Sequence, residues 1–280
     1  MNARIVVGIE QTSAGERALA WAARRAAQFH RGLLIVSVVG GALGVVGEKQ
    51  VLADTERLTE DWLSAEAERL RATGLSVEHA VFHGDPVSQL TAASADEEML
   101  VIGSDYRGPD EGPARGVHGI RIASAAKVPV VVVPDRDVAE GTGVVVGVDG
   151  SPVSEAAIRF AAAEADRLGE PLIAVTVWTP ITTHHRNSIV YPELYIESLE
   201  KAAQETLAVS LAGLSQDYPD LEIRREVRRG YPSAVINGLA ADARLAVVGS
   251  RGRGAFARFL LGSISHEVLT HLRTATAVVR

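Results

Sequence analysis

Short, unbroken runs of Val, Ile and Leu recur along the chain, at Ile5-Val6-Val7, from Leu33 to Val39 and at Val131-Val132-Val133. Continuous apolar runs, as opposed to alternating ones, predict strands buried on both faces of a parallel sheet. Ala-rich amphipathic stretches lie between them, for example 16–29 and 153–168, and these predict helices. Their starts carry helix signals: Ser13-Ala-Gly-Glu16 fits a capping box, and Ser151-Pro152 fits an N-cap with proline in the first helical position. Val77-Glu-His-Ala-Val-Phe and Ile223-Arg-Arg-Glu-Val add a third strand in each half of the chain. The pattern is β-α-β-α-β-α-β-α-β, written twice. With right-handed crossovers it predicts an α/β fold in which each half is an open, doubly wound parallel sheet.

The two halves are copies. Arg4 to Ser13 recurs as Gly143 to Pro152, and Leu33 to Val39 as Leu172 to Trp178, both at an offset of 139. Gly84-Asp85-Pro86 then matches Gly230-Tyr231-Pro232, Leu100 to Ser104 matches Ala246 to Ser250, and Val128 to Pro134 matches Thr274 to Arg280, all at an offset of 146. The extra residues of the second copy are expected near Pro180 to Pro192, a segment rich in Thr, His and Pro. A tandem duplication follows, with a first domain at 1–139 and a second at 140–280, joined by the polar linker 135–142.

Composition narrows the chemistry. Apolar residues make up 47% and charged residues 22% of the 280, the balance of an ordinary globular chain. The net charge of −7 argues against broad binding to nucleic acid or to anionic membranes. With no cysteine, disulfides, thiolate catalysis and Cys-ligated zinc are excluded. The longest uncharged run, Gly32 to Gly47, carries five glycines and falls short of the roughly 20 apolar residues of a spanning helix. The apolar run after the N-terminus ends at Glu10, too early for a signal-peptide core, so a cytoplasmic protein is expected.

In a doubly wound sheet the ligand site lies beyond the strand C-termini, where the strand order reverses. In the second half the first strand ends at Asp149, and the fourth opens into Gly249-Ser-Arg-Gly-Arg-Gly-Ala-Phe-Ala-Arg-Phe-Leu-Leu-Gly-Ser263. Glycines there remove Cβ atoms where backbone has to approach a ligand, and Gly262-Ser263 introduces a helix whose free N–H groups favour an anion. Arg251, Arg253 and Arg258 add three positive charges with no acid between 249 and 265. Two readings fit this stretch taken alone: a phosphate cradle, or a Gly-rich loop whose arginines are solvated.

Gly249-x2-Gly252-x9-Gly262-Ser263 resembles the G-2X-G-9X-G-(S/T) nucleotide loop of the universal stress protein family. Val144-Val-Val-Gly-Val-Asp-Gly-Ser151, the Gly-x-Pro at 230–232 and the closing apolar strand are similar to that family as well, and the likeness spans both halves. The resemblance implies two tandem five-stranded domains of strand order 3-2-1-4-5, adenine nucleotide alpha hydrolase-like, with ATP as ligand, with or without Mg²⁺. It places Gly147 and Asp149 beside the ribose or adenine and the Val177 backbone on the adenine edge. It sets Gly249, Gly252, Gly262, Ser263, Ile264 and Ser265 around the phosphates, and charge adds Arg251 and Arg253 to the phosphate loop. The family further implies that the closing strands pair within one chain, and a homodimer of tandem chains is expected, since apolar edge strands need a partner.

The first half departs from this pattern. Tyr106 stands where Gly252 does, Val117 where Ser263 does, and Glu10 and Gln11 replace Asp149 and Gly150. Between 103 and 119, Asp105, Asp110 and Glu111 against Arg107 and Arg115 give a loop charge of −1, in place of +3. A bulky ring filling the space, and acids near phosphate, both oppose nucleotide binding. One competent nucleotide site per chain is therefore expected, in the second half. The uneven charge agrees: residues 1–140 sum to −6 and residues 141–280 to −1.

Other signals lead nowhere. Gly252-x-Gly254-x-x-Ala257 lacks the acidic residue that a dinucleotide fingerprint needs on the next strand. His266 and His271 are five apart and so on different helix faces, His184-His185 lacks a spaced third ligand, and neither a G-x-S-x-G elbow nor a Walker motif occurs. The arginines at 224, 225, 228 and 229 interleave with Glu222 and Glu226, which suits a solvated edge strand. No positioned general base is apparent, so the expected role is regulation of stress responses through nucleotide-dependent conformation or partner binding, with at most slow ATP hydrolysis. A group-transfer enzyme and a nucleotide-free dimerising scaffold are the alternatives.

Overall fold

The computed structural model describes residues 4–40, 48–106, 117–136, 141–181, 191–252 and 261–280. The first half runs β1 (Ile5–Gly8), α1 (Ser13–Phe29), β2 (Leu33–Val39), α2 (Glu48–Arg71), β3 (Val77–His83), α3 (Pro86–Ala93), β4 (Met99–Ser104), α4 (Val117–Ala125) and β5 (Val130–Pro134). The second runs β6 (Val144–Gly147), α5 (Pro152–Leu168), β7 (Leu172–Trp178), α6 (Glu193–Ser210), α7 (Leu214–Asp217), β8 (Ile223–Arg229), α8 (Pro232–Ala240), β9 (Leu245–Gly249), α9 (Ser263–Thr270) and β10 (Ala275–Val279). The predicted alternation is present twice. One difference is α7, which follows α6 after a break at Gly213, where φ is +84°. The connection 179–192 is longer than its counterpart 40–47, as the offsets require, although 182–190 lie outside the described residues.

Contacts divide the chain into two compact units. In the first, β1 pairs in parallel with both β2 and β4, β2 with β3, and β4 with β5, so the order is β3-β2-β1-β4-β5. In the second, β6 pairs in parallel with β7 and β9, and β7 with β8. Beyond these, the Ser250 N–H donates to the Val279 carbonyl of β10 at 2.6 Å. Burial explains the apolar runs: Ile5, Val6 and Val7 of β1 and Val144, Val145 and Val146 of β6 are fully buried. The Arg/Glu-rich β8 is the outer strand, with Arg224 paired to Glu222 and Arg228 to Glu226 at 2.8 Å, as a solvated edge should be.

One helix signal needs correcting. The residue capping α1 is Thr12, whose hydroxyl accepts from the Gly15 N–H at 3.2 Å, and the helix begins at Ser13. Ser13 is drawn away because its hydroxyl donates to Asp135 Oδ2 at 2.8 Å, a partner 122 residues distant. In the second half Ser151 caps α5 as expected, accepting from the Ser154 N–H at 3.1 Å with Pro152 following.

Candidate functional site

The reversal of strand order in the second unit falls between β7 and β9, on either side of β6. Because β6 stops at Gly147, opposite Val175, strand β7 runs on past its neighbour. Val177 lies two residues beyond that last pair. Val175 directs its carbonyl toward the β6 side, accepting from the Val148 N–H at 2.8 Å. Alternate residues of a strand turn their peptide groups to the same side, so Val177 aims its N–H and C=O into the space that β6 has left.

That space is a cavity of about 350 Å³. Gly147, Asp149, Val177, Gly249, Arg251, Gly252, Gly262, Ser263, Ile264 and Ser265 all line it. These positions are separated by up to 118 in the chain, and the fold brings all ten together. Arg253, the remaining sequence candidate, lies outside the described residues, as does Arg258.

Local bonding sets the first wall. The Asp149 N–H donates to Ser154 Oγ at 3.2 Å, while Asp149 Oδ1 accepts from the Ser151 N–H at 2.9 Å. The carboxylate is held by the same turn that starts α5, and its other oxygen faces the glycine loop. A Cβ placed on Gly252 would stand 2.5 Å from Asp149 Oδ2. Glycine at 252 is therefore a spacing requirement of the acid opposite it. Gly252 is not among the residues of positive φ, so its backbone conformation makes no such demand.

The loop closes onto a helix N-terminus. The Gly262 N–H donates to the Ser250 carbonyl at 2.8 Å, and its own carbonyl accepts from the His266 N–H at 2.9 Å, opening α9. A Cβ on Gly262 would press on Arg251 Cα at 3.2 Å. The Ser265 hydroxyl donates to the Gly249 carbonyl, tying the first turn of α9 to the end of β9. Ser263 is exposed and Ile264 half-buried at the start of the helix, whose unpaired N–H groups form a partial positive charge.

Arg251 is half-buried and, among the described residues, pairs with no carboxylate. Partial burial lowers the Arg280 guanidinium pKa from its ordinary value, and the positive charge of Arg251 lowers it further. Sequence reasoning missed Ser154 and Ile236, which line the cavity because α5 and α8 pack over β6. The Gly-x-Pro at 230–232 was a legible pointer to that side, since Pro232 lines the cavity.

Among the described residues no group of three or more His, Asp or Glu is placed to hold a metal ion, and Asp149 is the carboxylate on the cavity wall. His266 is exposed at the start of α9. His271 is exposed too, and its ring meets Tyr106 edge-on at 6.3 Å. His184-His185 falls outside the described residues. No helix of the described residues is long and apolar enough to cross a membrane.

The family model described as "Universal stress protein family" matches residues 1–134 and again 142–280. A universal stress protein of Mycobacterium tuberculosis is 32% identical over 298 residues, covering 99% of this chain and 96% of the relative. One from Mycolicibacterium smegmatis is 31% identical over 289 residues, with the same coverage of each. Among solved structures, a universal stress protein from Archaeoglobus fulgidus superposes with a TM-score of 0.71 at 18% identity, covering 99% of this chain and 98% of that one. At that identity the likeness concerns the fold.

Proposed function

This chain belongs to the universal stress protein family, and from that premise we propose that its C-terminal half binds ATP and that occupancy of this one site biases conformation or partner binding. The observation that carries the reading is a half-buried arginine, Arg251, on the wall of a cavity whose backbone is stripped of Cβ atoms at 249, 252 and 262. The apolar end, with Val175, Val177 and Ile236, suits a flat purine, whose edge meets the Val177 peptide groups. Asp149 Oδ2 accepts from a ribose hydroxyl. The phosphates then lie against the glycine loop, the N-terminus of α9 and the Arg251 guanidinium. A bound Mg²⁺ would offset phosphate charge there, with Asp149 as the carboxylate within the same wall. Among the described residues none is placed as a general base toward the phosphate end, and the role proposed is regulatory.

Mass spectrometry of nucleotide released from the purified chain tests this. About one adenine nucleotide per chain is expected, with a thermal shift on added ATP that saturates with occupancy. A ratio near two would refute the single-site reading, absence of binding at millimolar ATP would favour a scaffold, and steady phosphate release would favour an enzyme. Arg251 provides a finer check: Arg251→Gln should weaken ATP about 5- to 10-fold by removing a charge-assisted contact. Titration calorimetry should find adenosine little affected by the same change; equal losses for both ligands would remove Arg251 from the phosphate end.

A further inference from the structure

The two halves carry opposite charges at three equivalent positions. We infer that these charges sort the halves during folding, keeping the first helix of each half on its own fourth strand. A tandem duplication folds with two copies of each element present at once, and exchange of equivalent elements is a characteristic failure of repeat chains.

Apolar packing distinguishes the halves poorly. Helix α1 packs on β4, and α5 on β9. The buried faces of the two helices repeat the same alanines, Ala18, Ala22 and Ala26 in one and Ala157, Ala161 and Ala165 in the other. Beneath them Val6 and Val101 correspond to Val145 and Val247, and all four are fully buried. On these contacts alone, either helix fits either sheet.

Charge tells them apart. Arg25 and Arg31, in and just after α1, stand where Glu164 and Glu170 stand around α5, and Glu98 before β4 stands where Arg244 does before β9. The backbone is the same in both places. The Arg31 N–H donates to the Ala26 carbonyl at 2.9 Å and the Glu170 N–H to the Ala165 carbonyl at 3.0 Å. Likewise the Glu98 N–H donates to the Arg4 carbonyl at 2.9 Å and the Arg244 N–H to the Gly143 carbonyl at 3.0 Å. In the first half Glu98 bridges Arg25 at 3.1 Å and Arg31 at 2.7 Å. In the second, Glu170 pairs with Arg244 at 2.5 Å and accepts from the Gly143 N–H at 2.6 Å. The side chains of Arg25, Glu98 and Glu170 are 6%, 19% and 12% exposed, so solvent screens these charges little. Set against β9, α1 would bring two arginines to Arg244; set against β4, α5 would bring two glutamates to Glu98. Each exchange replaces an ion pair by like charges in a partly buried place, a larger penalty than the loss of a surface pair. Arg167, which pairs with Glu164 at 3.0 Å, belongs to α5, travels with it and leaves Glu170 opposed to Glu98.

Refolding of the full chain by dilution from urea, with the recovered species sized by light scattering and then melted, tests this with three variants. Glu98→Arg sets three cations together and should lower the melting midpoint of the first unit. Arg25→Glu/Arg31→Glu/Glu98→Arg restores opposite charges within the first unit but gives both halves the same signs. It should melt above Glu98→Arg, yet recover about fivefold less native protein than the parent, with the loss growing as protein concentration rises. Adding Glu164→Arg/Glu170→Arg/Arg244→Glu makes the signs of the halves differ again and should return the yield toward that of the parent. Should the first-half triple melt no higher than Glu98→Arg, Glu164→Arg/Glu170→Arg/Arg244→Glu alone puts the same question from the second half. A triple that refolds as the parent does at every concentration, or a sixfold variant that recovers no more than the triple, would overturn the inference.

Discussion

Gly252→Ala is expected to weaken ATP binding about 30-fold, close to 2 kcal/mol, while leaving thermal stability in the absence of nucleotide within about 0.5 kcal/mol of the parent. The added methyl stands 2.5 Å from Asp149 Oδ2, closer than real atoms approach. Asp149 is the end of a short side chain, so it yields by swinging away from the wall. Swinging breaks its alignment with the Ser151 N–H and removes the acceptor offered to the ribose. The methyl also holds phosphate off the loop backbone. Gly252 itself is exposed and has no positive φ, so folding loses little. Calorimetry on parent and variant, together with melting curves without nucleotide, separates the two effects. Asp149→Asn with Gly252→Ala should cost less than the sum of the single changes, because both act through one carboxylate. An unaltered Kd in Gly252→Ala would mean that the ligand does not touch this loop.

Leu100→Ala should cost about 3 kcal/mol in the stability of the first unit, read from urea unfolding followed by circular dichroism. Leu100 is fully buried on β4, paired with Val6 of β1 on one side and Val130 of β5 on the other. Shortening it opens a cavity at the centre of a sheet whose neighbours are fixed by hydrogen bonds on both edges and relax little. Leu100→Met, which conserves volume, should cost less than about 1.5 kcal/mol. Because the chain holds two units, the unfolding curve need not be two-state, and the loss is read from the transition that moves. Equal midpoints for Leu100→Ala and the parent would contradict the placement of β4 as an interior strand between β1 and β5.

Much of the fold was legible because it is written in periodicity. Unbroken Val/Ile/Leu runs state burial on both faces, and chain order with right-handed crossovers leaves few arrangements of five strands. The capping of α1 was not legible to the residue, since the capping-box spacing to Glu16 points to Ser13 while the fold uses Thr12. What separates them is Asp135, far along the chain, which engages the Ser13 hydroxyl. The candidate site was legible where glycines and charges keep fixed spacing in one loop. It was illegible where a wall comes from another helix, as with Ile236 and Ser154.

By itself, then, the amino-acid order determined the duplication, the alternation of strands and helices, the glycine spacing and the opposite signs of the two loops. These are properties of local pattern and covalent sequence, and they hold before the chain folds. Tertiary structure decided where side chains point. Tyr106 reads from the sequence as an obstruction in the first loop. In the fold it is buried with the ring of His271 at its edge and leaves about 330 Å³ open, because a large aromatic ring gains more by burying its surface than by standing in a solvated loop.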